Sequence, residues 1–102
     1  MVTVARPDDA PLVAVRDMPA RGCAAVFVYC ADMDQLFAIT TAALDRLRLD
    51  IQDARIITTD AGFSIDTYMV LDADSGDAVR DAARREEIGE GVRRALLARE
   101  CP

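Results

Sequence analysis

The apolar run Cys23-Ala24-Ala25-Val26-Phe27-Val28-Tyr29-Cys30 ends at Ala31-Asp32 and leads at once into Asp34-Gln35-Leu36-Phe37-Ala38. Apolar at nearly every position, residues 23–30 predict a strand in a sheet covered on both faces. Asp32 and Asp34 both suit a helix N-cap. Beyond them Leu36, Thr40, Ala43, Leu44 and Leu47 recur at helical spacing. Phe37 and Ile39 widen that stripe, and Asp45, Arg46 and Arg48 are left for water. A helix is expected from Leu36 to about Arg48 or Leu49. A helix N-terminus, where free N–H groups and the helix dipole favour small anions, would then sit at the end of a buried strand.

The rest of the chain adds a strand pair and a second helix. Ile51 to Thr59 reads as a strand, Asp60-Ala61-Gly62 as its turn and Phe63 to Leu71 as the antiparallel partner. Along that partner Phe63, Ile65, Met69 and Leu71 point one way, and Tyr68 and Val70 the other. After the polar stretch 72–77, a helix is expected from near Val79 to about Ala98. Ile88, Val92, Ala95 and Leu96 form its stripe, and Gly89 and Gly91 weaken it. Ahead of the first strand, Pro11 and Pro19 bracket Leu12-Val13-Ala14-Val15, with 17–22 as a loop and residues 1–10 as a flexible lead-in. One domain over residues 11–99, with 100–102 as a tail, accounts for the chain.

The order β-α-β-β-α is an α+β, ferredoxin-like sandwich: an antiparallel sheet with two helices on one face, short of its fourth strand. Residues 12–16, folding back beside the strand at 23–30, could take the vacant edge. Otherwise that edge stays open to pairing.

Composition narrows the chemistry. The 102 residues carry a net charge of −6, and all twelve basic residues are arginine. An acidic chain lacks the basic surface that nucleic acid requires. No apolar run approaches the roughly 20 residues of a membrane span, and Met1–Asp9 lacks the apolar core of a signal peptide. A cytoplasmic setting without membrane contact is expected. Cys23, Cys30 and Cys101 have no CxxC spacing and there is no histidine, so no metal and no cofactor are expected. Lacking histidine and lysine, the chain has neither the usual general base nor the usual Schiff-base amine, and catalysis by it alone is not expected. An acylphosphatase-like reaction would need a phosphate-cradling arginine after the first strand, where Ala31-Asp32-Met33-Asp34 is acidic.

Phe27-Val28-Tyr29, Asp32, Leu36-Phe37-Ala38, Leu44-Asp45-Arg46-Leu47, Asp53-Ala54-Arg55-Ile56 and Asp66-Thr67-Tyr68, in that order and spacing, resemble the ACT domain, a small amino-acid-sensing regulatory module of βαββαβ fold. More narrowly, they are similar to the first of two carboxy-terminal ACT domains in the bacterial PII uridylyltransferase/uridylyl-removing enzymes. Pro11-Leu12-Val13 is similar to the segment just before that domain. The resemblance implies a longer polypeptide that attaches UMP to the PII signalling protein and removes it, switched by glutamine. PII would then be met only through catalytic domains outside this chain. Gln35 stands where ACT domains usually carry glycine.

The resemblance also implies a site. The N–H groups at the helix start would hold a ligand carboxylate, Asp32 would accept its ammonium and Gln35 would meet its side chain. Asp32, Met33, Asp34, Gln35, Leu36 and Phe37 are the ligand-binding candidates. The alternative is that Asp32 and Asp34 only cap the helix and Gln35 is solvated. Because helices cover one face of such a sheet and the strand at 23–30 is apolar on both, the other face should meet a second copy or a neighbouring domain. Val26, Val28, Asp53 and Arg55 are read as interface positions, with self-association of the chain expected. Asp53 and Arg55 could equally form a solvated ion pair. Asp66 could bond within the hairpin or touch a partner. Two functions therefore remain: an amino-acid sensor, and a structural ACT-like interaction module that binds no ligand itself.

Overall fold

Pro11 and Pro19 do bracket a strand. In a computed structural model that describes residues 11–31 and 35–99, β1 (Leu12–Met18) turns through a single 3₁₀ turn, Pro19–Arg21, into β2 (Cys23–Ala31). Gly22 closes that turn at φ 69°, its N–H donating to the Pro19 carbonyl at 3.1 Å. This left-handed backbone is one that glycine adopts without steric cost. The hairpin registers Leu12 with Tyr29, Ala14 with Phe27 and Met18 with Cys23. The strand runs two residues past the expected 12–16 and takes the fourth place in the sheet.

The remaining elements are α1 (Leu36–Arg46), β3 (Leu49–Thr58), β4 (Phe63–Asp72) and α2 (Ala82–Arg99). The sheet is antiparallel throughout, in the order β1-β2-β4-β3. With two helices on one face it is the α+β, ferredoxin-like architecture expected of an ACT domain. A bulge between Ile51 and Asp53 resets the register of β3 against β4.

Side-chain alternation assigns the faces. Val13 and Val15 on β1, Ala24, Val26, Val28 and Cys30 on β2, and Tyr68 and Val70 on β4 pack into the core beneath the helices. Leu36, Ala43 and Leu44 of α1 and Ile88, Val92 and Leu96 of α2 close it from above. Each fully buried valine, leucine or isoleucine among them contributes about 1.5–3 kcal/mol.

Both helices are shorter at one end than their apolar pattern. Chain geometry ends α1 at Arg46, where Arg48 turns left-handed at φ 64° and redirects the chain into β3. The second helix begins at Ala82, not near Val79, because the Asp81 carboxylate accepts the Ala83 N–H at 3.2 Å and so caps it. Ala78 and Val79 still reach the core ahead of it.

The two α2 glycines differ in consequence. A Cβ at Gly91 would lie 3.1 and 3.2 Å from the Leu47 methyls, so glycine lets α2 approach the end of α1 closely. At Gly89 the nearest atom is a Val15 methyl at 3.7 Å, an ordinary contact. Gly89→Ala should therefore stabilise the chain by about 0.5–1 kcal/mol through helix propensity, whereas Gly91→Ala should gain nothing or lose stability. Urea unfolding of both variants checks this, and equal stabilisation by both would contradict the packing.

Candidate functional site

β2 delivers its last residue, Ala31, and α1 starts at Leu36, so the ligand-binding candidates fall at one junction. Asp32, Met33 and Asp34 lie outside the described residues. Gln35 is the residue preceding the helix. Its side chain is exposed and caps nothing, and its carbonyl accepts the Ile39 N–H at 2.8 Å. Its backbone is left-handed, φ 64° and ψ 20°. Here the glycine usual in ACT domains would fit without strain, while a side chain costs about 1–2 kcal/mol.

The other candidates separate. Leu36 is 5% exposed and belongs to the core, so it supports the junction from beneath. Phe37 is 53% exposed, with its ring 6.2 Å from Tyr68. Val26 and Val28, read as interface positions, are buried beneath the helices. Their neighbours Phe27 and Tyr29 occupy the open face instead. Asp53 and Arg55 are exposed on that open face, across the sheet from α1, and form no ion pair with each other. Apart from Val26 and Val28 in the core, the expected residues that are described thus divide into a junction beside α1 and a patch on the far side of the sheet.

Under the junction lies a polar cluster that only Asp66 announced. Asp66 is fully buried and faces the helices. Ser64 donates its hydroxyl to one carboxylate oxygen at 2.5 Å, and Tyr68 donates to the other at 3.2 Å. Thr40, also fully buried, donates to the Leu36 carbonyl at 2.9 Å and stands beside the Tyr68 hydroxyl. Cys30 is the cross-strand neighbour of Ser64. Asp66 therefore bonds within its own strand, and the cluster runs from β4 to the first turn of α1. Ser64, Asp66 and Tyr68 alternate along one strand face, which was the available signal. A buried carboxylate left without such donors would be strongly destabilising.

Burial, and then the adjacent Asp66 carboxylate, push the Tyr68 hydroxyl well above its ordinary range. Its neutral form is favoured by the folded state, so this contribution is complete below the unfolded value near about 10 and is lost as pH rises toward the higher folded value.

Among the described residues no group of carboxylates and thiols is placed to hold a metal ion, and no helix is long and apolar enough to cross a membrane. No family model matches the chain, and no solved structure matches it. Curated proteins do. The chain is 46% identical over 94 residues, 88% of its length, to a Pseudomonas aeruginosa protein named bifunctional uridylyltransferase/uridylyl-removing enzyme. Proteins of the same name from Azotobacter vinelandii and Pseudomonas syringae match at 44% over 84% of the chain and 41% over 87%.

The chain is a homologue of one segment of the uridylyltransferase/uridylyl-removing enzymes. It spans about 10% of the length of these relatives. Both activities in that name belong to the relatives as whole proteins.

Two measurements test the junction. Gln35→Gly should raise stability by about 1 kcal/mol, read by thermal or urea unfolding. A loss would contradict the left-handed assignment. Alkaline unfolding should steepen above about pH 10, by up to about 1.4 kcal/mol per pH unit, and Tyr68→Phe should flatten that limb whatever it costs at neutral pH. An unchanged alkaline slope in the variant would contradict the buried neutral hydroxyl.

Proposed function

We propose that this chain is a regulatory ACT domain, the first of two carboxy-terminal ones in a cytoplasmic uridylyltransferase/uridylyl-removing enzyme, and that it senses an amino acid, most simply glutamine. The observation that carries this reading is the 40–46% identity to a segment making up about a tenth of enzymes bearing two activities in their name. A segment of that size and fold is a natural carrier of control, not of either reaction. In the parent chain, neighbouring domains would be its partners, and PII would be met by the catalytic domains alone.

The junction suits the task. Leu36, Phe37 and Ala38 open α1, and the N–H groups of a first helical turn can receive a carboxylate. Gln35 projects its amide into solvent from a fixed backbone position, where it can meet the side-chain amide of a ligand. Regulation then follows as a population shift: ligand bound between this domain and a neighbour favours one arrangement of the two, and that bias reaches the catalytic domains.

A second reading, a structural ACT-like module that binds no ligand, draws on Gln35 itself. A side chain where glycine is usual narrows the approach to the helix start. Calorimetric titration of the folded chain with glutamine, with glutamate as control, separates the two. The sensor reading expects saturable binding of glutamine, weakened about tenfold in Gln35→Ala by the loss of about one hydrogen bond. Absence of glutamine binding by the folded chain would overturn direct sensing by this domain and favour the structural module.

A further inference from the structure

The helices leave one sheet face uncovered. Leu12, 64% exposed, Ile57, 57%, and Ile65, 39%, lie on it, together with the stacked rings of Tyr29 and Phe63, 5.4 Å apart and 11° from parallel. A contiguous apolar face of this kind marks a docking surface. Its occupant is indicated by its charges. In a chain of net charge −6, the alternating positions of the strands place Arg16, Arg55, Asp50 and Asp53 on this face, two of each sign, and Arg21 of the 3₁₀ turn lines its rim. A strongly charged partner would find little complement in so mixed a set, whereas a copy of the same face can set its own opposite charges against each other.

Asp53 and Arg55 supply the register. They lie two residues apart on β3, exposed, on the same face, and neither has an ion-pair partner among the described residues. Between them is Ala54, paired with Tyr68, which is paired with Val26 and that with Val15. These four residues mark one level straight across the sheet. A twofold axis lying between two facing sheets along this level reverses each strand over its own copy. The step that carries Asp53 onto the partner's Arg55 also carries Arg55 onto the partner's Asp53, as an isologous contact requires. A hollow of about 200 Å³, lined by Met18, Arg21, Phe27, Asp53, Arg55, Thr67 and Met69, opens beside that line.

We propose that two copies of this chain stack their open sheet faces about this axis, with Asp53 of each opposite the partner's Arg55. Packing two such sheets face to face gives the aligned sandwich geometry common to β proteins. The proposal rests on the open face and does not depend on ligand binding at the β2–α1 junction.

Sedimentation of the full chain tests it, with circular dichroism to show that each variant is folded. The wild-type chain should be a dimer at tens of micromolar. Asp53→Arg and Arg55→Asp each set like charges against each other twice, and each should weaken the dimer by at least about tenfold. An equimolar mixture of the two variants restores both opposite-charge contacts, as does the double variant in one chain, and both should recover the dimer. Should a reversal disturb folding, Asp53→Asn and Arg55→Gln give the same reading: each weakens the dimer, and the two together weaken it by less than the sum. A monomeric wild-type chain would overturn the proposal, as would single reversals that dimerise unchanged or a mixture of folded variants that stays monomeric.

Discussion

Helices lie against only one side of this sheet, and that asymmetry governs every other feature of the chain. β2 is the strand on which it turns, because it is hydrogen-bonded on both sides, to β1 and to β4. Its alternate residues Ala24, Val26, Val28 and Cys30 enter a closed core, while Phe27 and Tyr29 are left on a face that none of the described elements covers. The strand is therefore apolar in both directions for two different reasons. Burial beneath α1 and α2 accounts for the first set. The second set lines the face proposed to meet a second copy.

The closed side holds a fully buried carboxylate. Asp66 sits with no exposure among aliphatic side chains, and its two oxygens are met by Ser64 and Tyr68. Such a group contributes less to stability than an apolar residue would, but its partners are constrained in position. Through Tyr68 and Thr40 the constraint extends to the first turn of α1, the same turn that opens the proposed ligand site. Gln35 adds a second constraint, a left-handed backbone retained without glycine. The helix start is thus held from below by a buried network and entered from outside through an unfavourable backbone geometry. Both would suit the proposed ligand site, where the position of the helix start matters more than its stability.

Much of this architecture was legible from residue order. The unbroken apolar run marked β2, 3.6-residue spacing marked both helices, and an incomplete sheet with prolines on either side of 12–18 marked the edge strand. What was lost was lost for identifiable reasons. A strand apolar on both faces has no period that says which face the helices take, so Val26 and Val28 read as interface although they are core. Ala78 and Val79 continue an apolar pattern without being helical, since the cap at Asp81 decides where α2 begins. Asp66 read as bonding within the hairpin or touching a partner, and its donors Ser64 and Tyr68 show the first; Ser64 was unremarked because a lone hydroxyl in a strand has no pattern, and Thr40 read only as part of the helical stripe. Glutamine carries no local preference for positive φ, so only the glycine usual at this place in ACT domains pointed to the conformation of Gln35.

The placement of β1 beside β2 supports the whole one-sided arrangement, and residue-resolved amide hydrogen exchange on the full chain tests it most directly. With β1 formed, alternate amides from Leu12 to Met18 point toward β2 and should be protected at least about a hundredfold over an unstructured chain, while those pointing to the free edge exchange quickly. If every amide between 12 and 18 exchanged at the unstructured rate while those of β4 remained protected, the fourth place in the sheet would be empty and this account of the fold would fail.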